Sequence, residues 1–454
     1  MSVSADKTEA LLWCIRPQLD LYELRGPLSD EVRNKPLAMR ALSVPKHVAF
    51  GSVLVATETV NQLRAVERLI GPDCETVGFM NPRPEQRERI ASMDHVVEAQ
   101  RRVRDALTGK VADAVIASFE VQIQKLAFAI YMYRKKDLSQ FSAIMVATQH
   151  APTLRALIVA ANQQSVPVIY VPHAPVADNC AYADLPASYV ALRGEGERDF
   201  YARTVGADPA LLDVVGNLAS DVLEHPLPEI RPERPGVLAL SPHPVETIRR
   251  IFDAVASADL GHLVVAPHPR SNLDEIRAIL PEGWALFEGG RTLDLLAEGP
   301  PFLFQFSSGV AWESAALGIP TADIRLDATP VNYPFLADES IYPAIRNPHD
   351  ALAFAERARR GEIDRDRLRS HARTWCACDG DEAAARLQAL IDRVTSAHDP
   401  ARPARVHDGW GIGGAALTRS WIRASRPARP EGMPSGPLAA IGGILGRARS
   451  RAGR

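Results

Sequence analysis

The chain has little of what would place it outside a reducing compartment or across a membrane. Its five cysteines, Cys14, Cys74, Cys180, Cys376 and Cys378, are too few and scattered for a disulfide framework. Cys376 and Cys378 form a C-x-C pair, but no second Cys or Cys/His pair completes a zinc set, so no metal site is expected. No stretch approaches the roughly 20 apolar residues that span a bilayer. The first residues, MSVSADKTEALLW, carry acids where a secretory leader needs bases. Together these absences predict a cytoplasmic protein with free thiols. A dominant charge is missing too. With 52 Lys and Arg against 55 Asp and Glu, the net charge of -3 gives the whole chain no electrostatic basis for binding nucleic acid.

What is present is ordinary globular composition, 46% hydrophobic and 24% charged, over 454 residues, enough for two or three domains. Strand-like and helix-like runs alternate, as expected of an α/β chain with parallel sheets. In the first half the strands are His47–Ala56, Ser142–Ala147, Val166–Val171, Ser188–Leu192 and Leu212–Val215. Residues 92–136 have helical spacing. HPLPEIRPERPG, His225–Gly236, holds four prolines in twelve residues and reads as a linker. After it, Val237–Leu240, His262–Ala266 and Phe302–Phe306 each lead into a helix, and Glu382–Val394 is expected to close the second domain. The expected division is residues 1–224, a linker at 225–236, a second domain at 237–396 and a basic tail at 397–454. From His398 on, ten Arg stand against three acids. That composition suits a disordered tail, or a segment, Pro437–Arg454, that touches an anionic membrane surface or an acidic partner.

Chemistry-bearing residues follow all three strands of the second half. They are Ser241-Pro-His243-Pro, Pro267-His268-Pro-Arg270-Ser-Asn, and Ser307-Ser308-Gly309. In a parallel sheet these loops share one rim. His243, His268, Arg270, the two serine hydroxyls and helix N-terminal N–H groups there would suit a phosphate, with Gly309 admitting close approach. A diphosphate leaving group held this way needs no metal, and no Asp-rich pair suggests Mg²⁺. Ser307 and Ser308 also fit a plain helix cap. Glu313 either favours the positive end of its helix or accepts hydrogen bonds from ribose hydroxyls.

These segments resemble those of GT-B nucleotide-sugar enzymes. FSSGVAWESAALGIPT (Phe306–Thr321) is similar to their small-residue, Glu, Leu-Gly-x-Pro segment. APHPRSN (Ala266–Asn272) resembles the His-Pro motif of bacterial capsule glycosyltransferases, polysialyltransferases among them, and of CDP-glycerol glycerophosphotransferases. VVGNLASD (Val214–Asp221) and CDGDEAAARLQALI (Cys378–Ile391) are similar to segments shared with UDP-N-acetylglucosamine 2-epimerases. VIYVPHAP (Val168–Pro175) resembles a Gln-His-Gly loop in which Pro172 and Ala174 replace Gln and Gly. The match in order covers roughly residues 140–395. An epimerase would be expected to carry His-Arg-x-x-Asn where SPHPVE stands and paired Glu where Glu313 stands alone, so the pattern favours transfer. The sialyltransferases' acidic base motif is not evident.

The resemblance implies a GT-B-like fold, two Rossmann-like domains facing a cleft, with the nucleotide-sugar donor on the second domain and no cofactor. The partner on the first domain would be a glycan or lipid-linked acceptor, with peripheral membrane contact through the tail. An inverting transfer needs a base. His173 is the first candidate and Asp178 the second; Glu195 and Glu58 are more remote. His173 also fits a structural loop histidine.

Overall fold

The computed structural model describes residues 3–24, 45–71, 74–269, 271–306, 308–325, 333–396, 399 and 401–407, without the side chains of 3–6, 21–24 and 180. Arg270, Ser307 and the proposed membrane segment Pro437–Arg454 lie outside the described residues.

The first unit opens with helix α1 (Val3–Leu24), strands β1 (Lys46–Phe50) and β2 (Val53–Thr57), and helix α2 (Val60–Ile70). Next come β3 (Glu75–Thr76), α3 (Pro84–Ala91), α4 (Asp94–Leu107), α5 (Asp113–Lys135), β4 (Ala143–Val146) and α6 (Pro152–Gln163). β5 (Val168–Tyr170), β6 (Tyr189–Leu192), α7 (Glu195–Phe200) and β7 (Leu212–Val214) complete it. The sheet runs β3-β1-β2-β4-β5-β6-β7, parallel from β2 to β7. The run expected as one strand, His47–Ala56, is instead an antiparallel hairpin. Phe50 pairs with Val53 around Gly51-Ser52, and Gly51 takes a φ of 55° that a two-residue hairpin turn demands.

The second unit holds β8 (Gly236–Leu240), α8 (Val245–Ala256), β9 (Leu263–Ala266), α9 (Leu273–Arg277), β10 (Ala285–Leu286) and α10 (Thr292–Ala297). It continues with β11 (Leu303–Phe306), α11 (Val310–Ala316), β12 (Thr321–Ile324), β13 (Ala344–Ile345), α12 (Pro348–Arg359) and α13 (Arg365–Trp375). Its six strands are all parallel, in the order β10-β9-β8-β11-β12-β13. Counted from the first strand this is 3-2-1-4-5-6, the doubly wound order whose ligand crevice opens where the order reverses. The chain is thus an α/β protein with two parallel-rich sheets.

Two connections tie the units together. The last helix, α14 (Gly380–Ser396), was expected to close the second domain. It packs instead on the first sheet, where Ala383, Leu387, Leu390 and Ile391 share a core with Val53, Met145, Ile169 and Val66 of α2. Its apolar stripe faces the strands there. The crossing point joins two motifs far apart in sequence. Asn217 N–H donates to the Cys378 carbonyl at 3.0 Å, and Leu223 N–H donates to Asp379 at 2.8 Å.

The other face of the first sheet is covered by α1, α4, α5 and α6. By length and composition α5 could cross a membrane, but its Val115, Phe119, Ile123 and Leu126 are buried in this core. Arg155 is fully buried beneath α1. It donates to the carbonyls of Trp13 (2.9 Å) and Gln149 (2.8 Å) and pairs with Asp184. Its guanidinium lies 4.2 Å from the Trp13 ring, and Arg405 lies 4.3 Å from it. The start of the expected disordered tail is therefore folded. Val406 and His407 pair with Ala187 and Leu185, and Arg402 donates to the carbonyls of Ser188 and Leu211.

The units meet most closely where α13 abuts the start of α7. A Cβ on Gly196 would lie 2.6 Å from the Trp375 ring, and one on Gly194 would lie 2.5 Å from the Trp375 backbone. Gly196→Ala should therefore destabilise the protein by about 1–3 kcal/mol through overpacking. In thermal unfolding, Trp375→Ala added to Gly196→Ala should recover part of that loss. Simple addition of the two losses would show that the ring is not the obstacle.

Candidate functional site

The carboxyl ends of the two sheets open onto one cleft of about 560 Å³. The first unit contributes Asn61, Arg64, Glu67 and Arg68 from α2 and His173 from the loop after β5. The second contributes Arg291, just before α10, and Glu313 on α11; Leu218 and Ala219 form part of the wall. Three guanidinium groups therefore stand against two carboxylates. Arg68 is committed to Asp221 at 2.6 Å. Gly380 makes room for that pair, since a Cβ there would meet both Arg68 and Asp221 within 3 Å. Arg64 and Arg291 are exposed, and neither is in an ion pair among the described residues.

His173 is half-buried, and its Nδ1 lies 2.7 Å from the Ala147 carbonyl. A carbonyl can only accept, so Nδ1 carries the proton and Nε2 the lone pair of the neutral ring. Burial holds the imidazole below its ordinary pKa, and the Ala147 bond only partly offsets that. The loop is fixed from below by Glu197, which is 2% exposed. One carboxylate oxygen accepts Val176 N–H at 3.1 Å and the other accepts Arg193 N–H at 3.0 Å. Burial raises the Glu197 pKa, while Arg193 and the two backbone bonds pull it down. The Arg193 guanidinium lies 4.8 Å from the ring of Trp312 on α11, across the junction. Glu313 is half-buried near Arg291 and Arg193; burial raises its pKa against the pull of both.

The three loops singled out in the second half do share one edge, because β9, β8 and β11 are adjacent and parallel. Their groups are used differently from the expectation. Ser308 N–H donates back to Gln305 Oε1 on β11 at 2.7 Å, and its hydroxyl oxygen accepts Val310 N–H, at the start of α11, at 3.4 Å. The Gln305 side chain is itself held by Asp323 at 2.6 Å, and Asp323 by Arg325 at 2.7 Å. Gly309 faces across the cleft, where an added Cβ would sit 3.8 Å from Pro175. The His243 ring packs on Phe306, 4.8 Å between centroids, and bonds the Phe306 backbone, leaving Nε2 buried and unpartnered. His268 is half-buried in the loop after β9, its carbonyl accepting Ser271 N–H at 2.8 Å. His243 and His268 lie on the shared edge outside the cleft wall formed by Arg291 and Glu313.

Among the candidate bases, Asp178 is exposed and outside the cleft wall, whereas His173 forms part of it. Glu195 pairs with Arg198, and the Glu58 backbone N–H donates to Gln62. Sequence reading missed Arg64 and Arg291 altogether. It also passed over Thr148-Gln149-His150, which follows β4 on the same rim; its position at a strand end was the available signal. His150 interacts with His173, and its Nδ1 lies 3.1 Å from Thr148 Oγ1.

Burial holds His150 down to about 3, and it holds His47, against Phe79 and Tyr133, down to about 4, from an ordinary 6.5. A His with a depressed folded pKa contributes stability above 6.5 that is lost as pH falls through the folded value. Urea unfolding should therefore show stability falling from pH 6.5 towards pH 4, with a shallower slope in His150→Gln. An unchanged slope in that variant would contradict the buried neutral ring.

No protein-family model matches the chain, and no curated protein matches it. Solved structures similar to it include a putative UDP-N-acetylglucosamine 2-epimerase from Listeria monocytogenes. That one is 17% identical, with a TM-score of 0.42, over 62% of this chain and 80% of that one. A UDP-GlcNAc 2-epimerase from Neisseria meningitidis, bound to UDP-GlcNAc, is 14% identical with a TM-score of 0.40, over 67% and 97%. The glycotransferase of kitacinnamycin is 13% identical with a TM-score of 0.43, over 70% and 86%.

Proposed function

We propose that the chain is a metal-independent glycosyltransferase that moves a sugar from a nucleoside-diphosphate donor to a cell-surface glycan or related acceptor hydroxyl. The observation that carries this reading is the meeting, in one cleft between the sheets, of His173 with Arg64 and Arg291, two guanidinium groups in no ion pair among the described residues. Two guanidinium forks suit the two phosphates of a diphosphate and carry the charge that develops as it leaves. Glu313, on the second unit's wall, accepts from ribose hydroxyls one phosphate away. In this reading the anion sits at Arg291, which forms part of the cleft wall; the Ser308 N–H is already taken by Gln305.

In this reading His173 Nε2 takes the acceptor proton as oxygen attacks the anomeric carbon and the diphosphate departs. The bond from Nδ1 to the Ala147 carbonyl holds the ring in the required tautomer and supports the imidazolium that forms. Glu197 positions the loop without touching substrate.

The test is a screen of nucleotide sugars for donor hydrolysis and transfer, detected by mass. His173→Ala should lower turnover by about 10²–10⁴ while leaving donor affinity nearly unchanged. The acid limb of kcat/KM should have an apparent pKa below 6.5 and vanish in that variant, because burial depresses the His173 pKa. Wild-type turnover by His173→Ala contradicts the assignment. Isomerisation of the sugar with no acceptor present would identify an epimerase, and nucleotide binding without turnover a binding scaffold.

A further inference from the structure

A second cavity, of about 360 Å³, lies in the helical layer of the first unit, among α1, α3, α4, α5 and α6. It is far from the cleft for a topological reason. Arg134, Lys135 and Gln163 of its wall sit at the ends of α5 and α6, where the chain turns back towards the amino ends of β4 and β5. The cleft opens at the carboxyl ends of the same strands. The volume lies within the roughly 300–1,000 Å³ usual for small-molecule sites.

The floor is apolar: Leu11, Ile90, Met93, Ala127, Ile130 and Val159. The mouth is basic. Lys7 and His95 are half-buried, and Arg134 and Lys135 are exposed. No carboxylate is part of the described wall. None of Lys7, Arg134 and Lys135 is in an ion pair among the described residues; Lys135 Nζ lies 5.6 Å from the centre of the Tyr131 ring. The acids that adjoin this wall in sequence do not neutralise it. Glu9 pairs with Arg102, and Asp94 adjoins His95. Burial first, then the charges of Lys7 and Arg134, hold His95 below its ordinary pKa, with Asp94 opposing them. An apolar hollow ringed by unneutralised cations is matched by a ligand with a greasy body and an anionic head. The chain's own Pro437–Arg454 is apolar but basic, so the mouth would repel it.

We propose that this cavity binds a single-chain anionic amphiphile, with its acyl chain against Leu11, Ile90 and Val159 and its phosphate or carboxylate head between Lys7, Arg134 and Lys135. The proposal does not depend on the reaction assigned to the cleft. The test is isothermal titration of the full chain with dodecyl phosphate below its micelle concentration. The wild type should bind it saturably at one site. The pair Arg134→Glu and Lys135→Glu, both on an exposed helix end, should weaken binding by at least about tenfold with an unchanged circular dichroism spectrum. Ile130→Asp should weaken it as well, and dodecyltrimethylammonium should not compete. Sedimentation with phosphatidylcholine vesicles doped with lysophosphatidylglycerol, a single-chain anionic lipid, distinguishes the source. Capture lost in the double variant assigns a membrane lipid, and dodecyl phosphate binding without capture assigns a free amphiphile. Absence of saturable binding, equal affinity in the double variant, or equal competition by the cationic detergent would overturn the proposal.

Discussion

The molecule depends on one buried carboxylate. Glu197 sits at the start of α7 and takes two backbone N–H groups, Val176 in the loop that carries His173 and Arg193 at the end of β6. Burying a carboxylate costs several kcal/mol unless its oxygens are satisfied, and here each oxygen has a partner and Arg193 lies close by. Because Arg193 also faces Trp312, the same charge that offsets the burial reaches across to the second unit. Gly194 and Gly196, on either side of Glu195, allow Trp375 to close in. One side chain thus fixes both the candidate base and the seam that brings the opposite wall of the cleft to it.

Much of this architecture was legible in the sequence, for identifiable reasons. Helix α8 was evident because Ile248, Ile251, Phe252 and Val255 recur at helical spacing and are the residues it buries. The parallel strands of the second unit were evident as short apolar runs followed by Pro, Ser or Gly. β10 and β13 span only two residues each and have no pattern to read. The hairpin of β1 and β2 was hidden because the pair reads as one apolar run, and only the Gly51-Ser52 interruption marks the turn. α14 shows its apolar stripe plainly, but a stripe does not say which sheet it will cover.

The site was less legible than the fold. Strand ends drew attention to His173, Ser308, His243 and His268, and tertiary structure then separated them. Ser308 lies outside the cleft wall, its N–H turned back to Gln305, while His173 forms part of that wall. Arg64 lies on the exposed side of an amphipathic helix, and Arg291 lies in a Gly-Gly-Arg loop with an ordinary appearance. Nothing local distinguishes either from a solvated surface arginine. What singles them out is their shared cleft and the absence of acids paired with them among the described residues. Such facts exist only once two distant segments are folded together.

The central claim is that these two guanidinium groups hold one diphosphate. Isothermal titration with UDP, CDP and CMP against the wild type, Arg64→Ala, Arg291→Ala and the double variant tests it directly. The account predicts that a nucleoside diphosphate binds better than the monophosphate. Each single variant should lose about tenfold or more in affinity, and the double variant should lose less than the sum, because both groups contact the same ligand. Full-strength diphosphate binding by both single variants, or no nucleotide binding by the wild type, would contradict it.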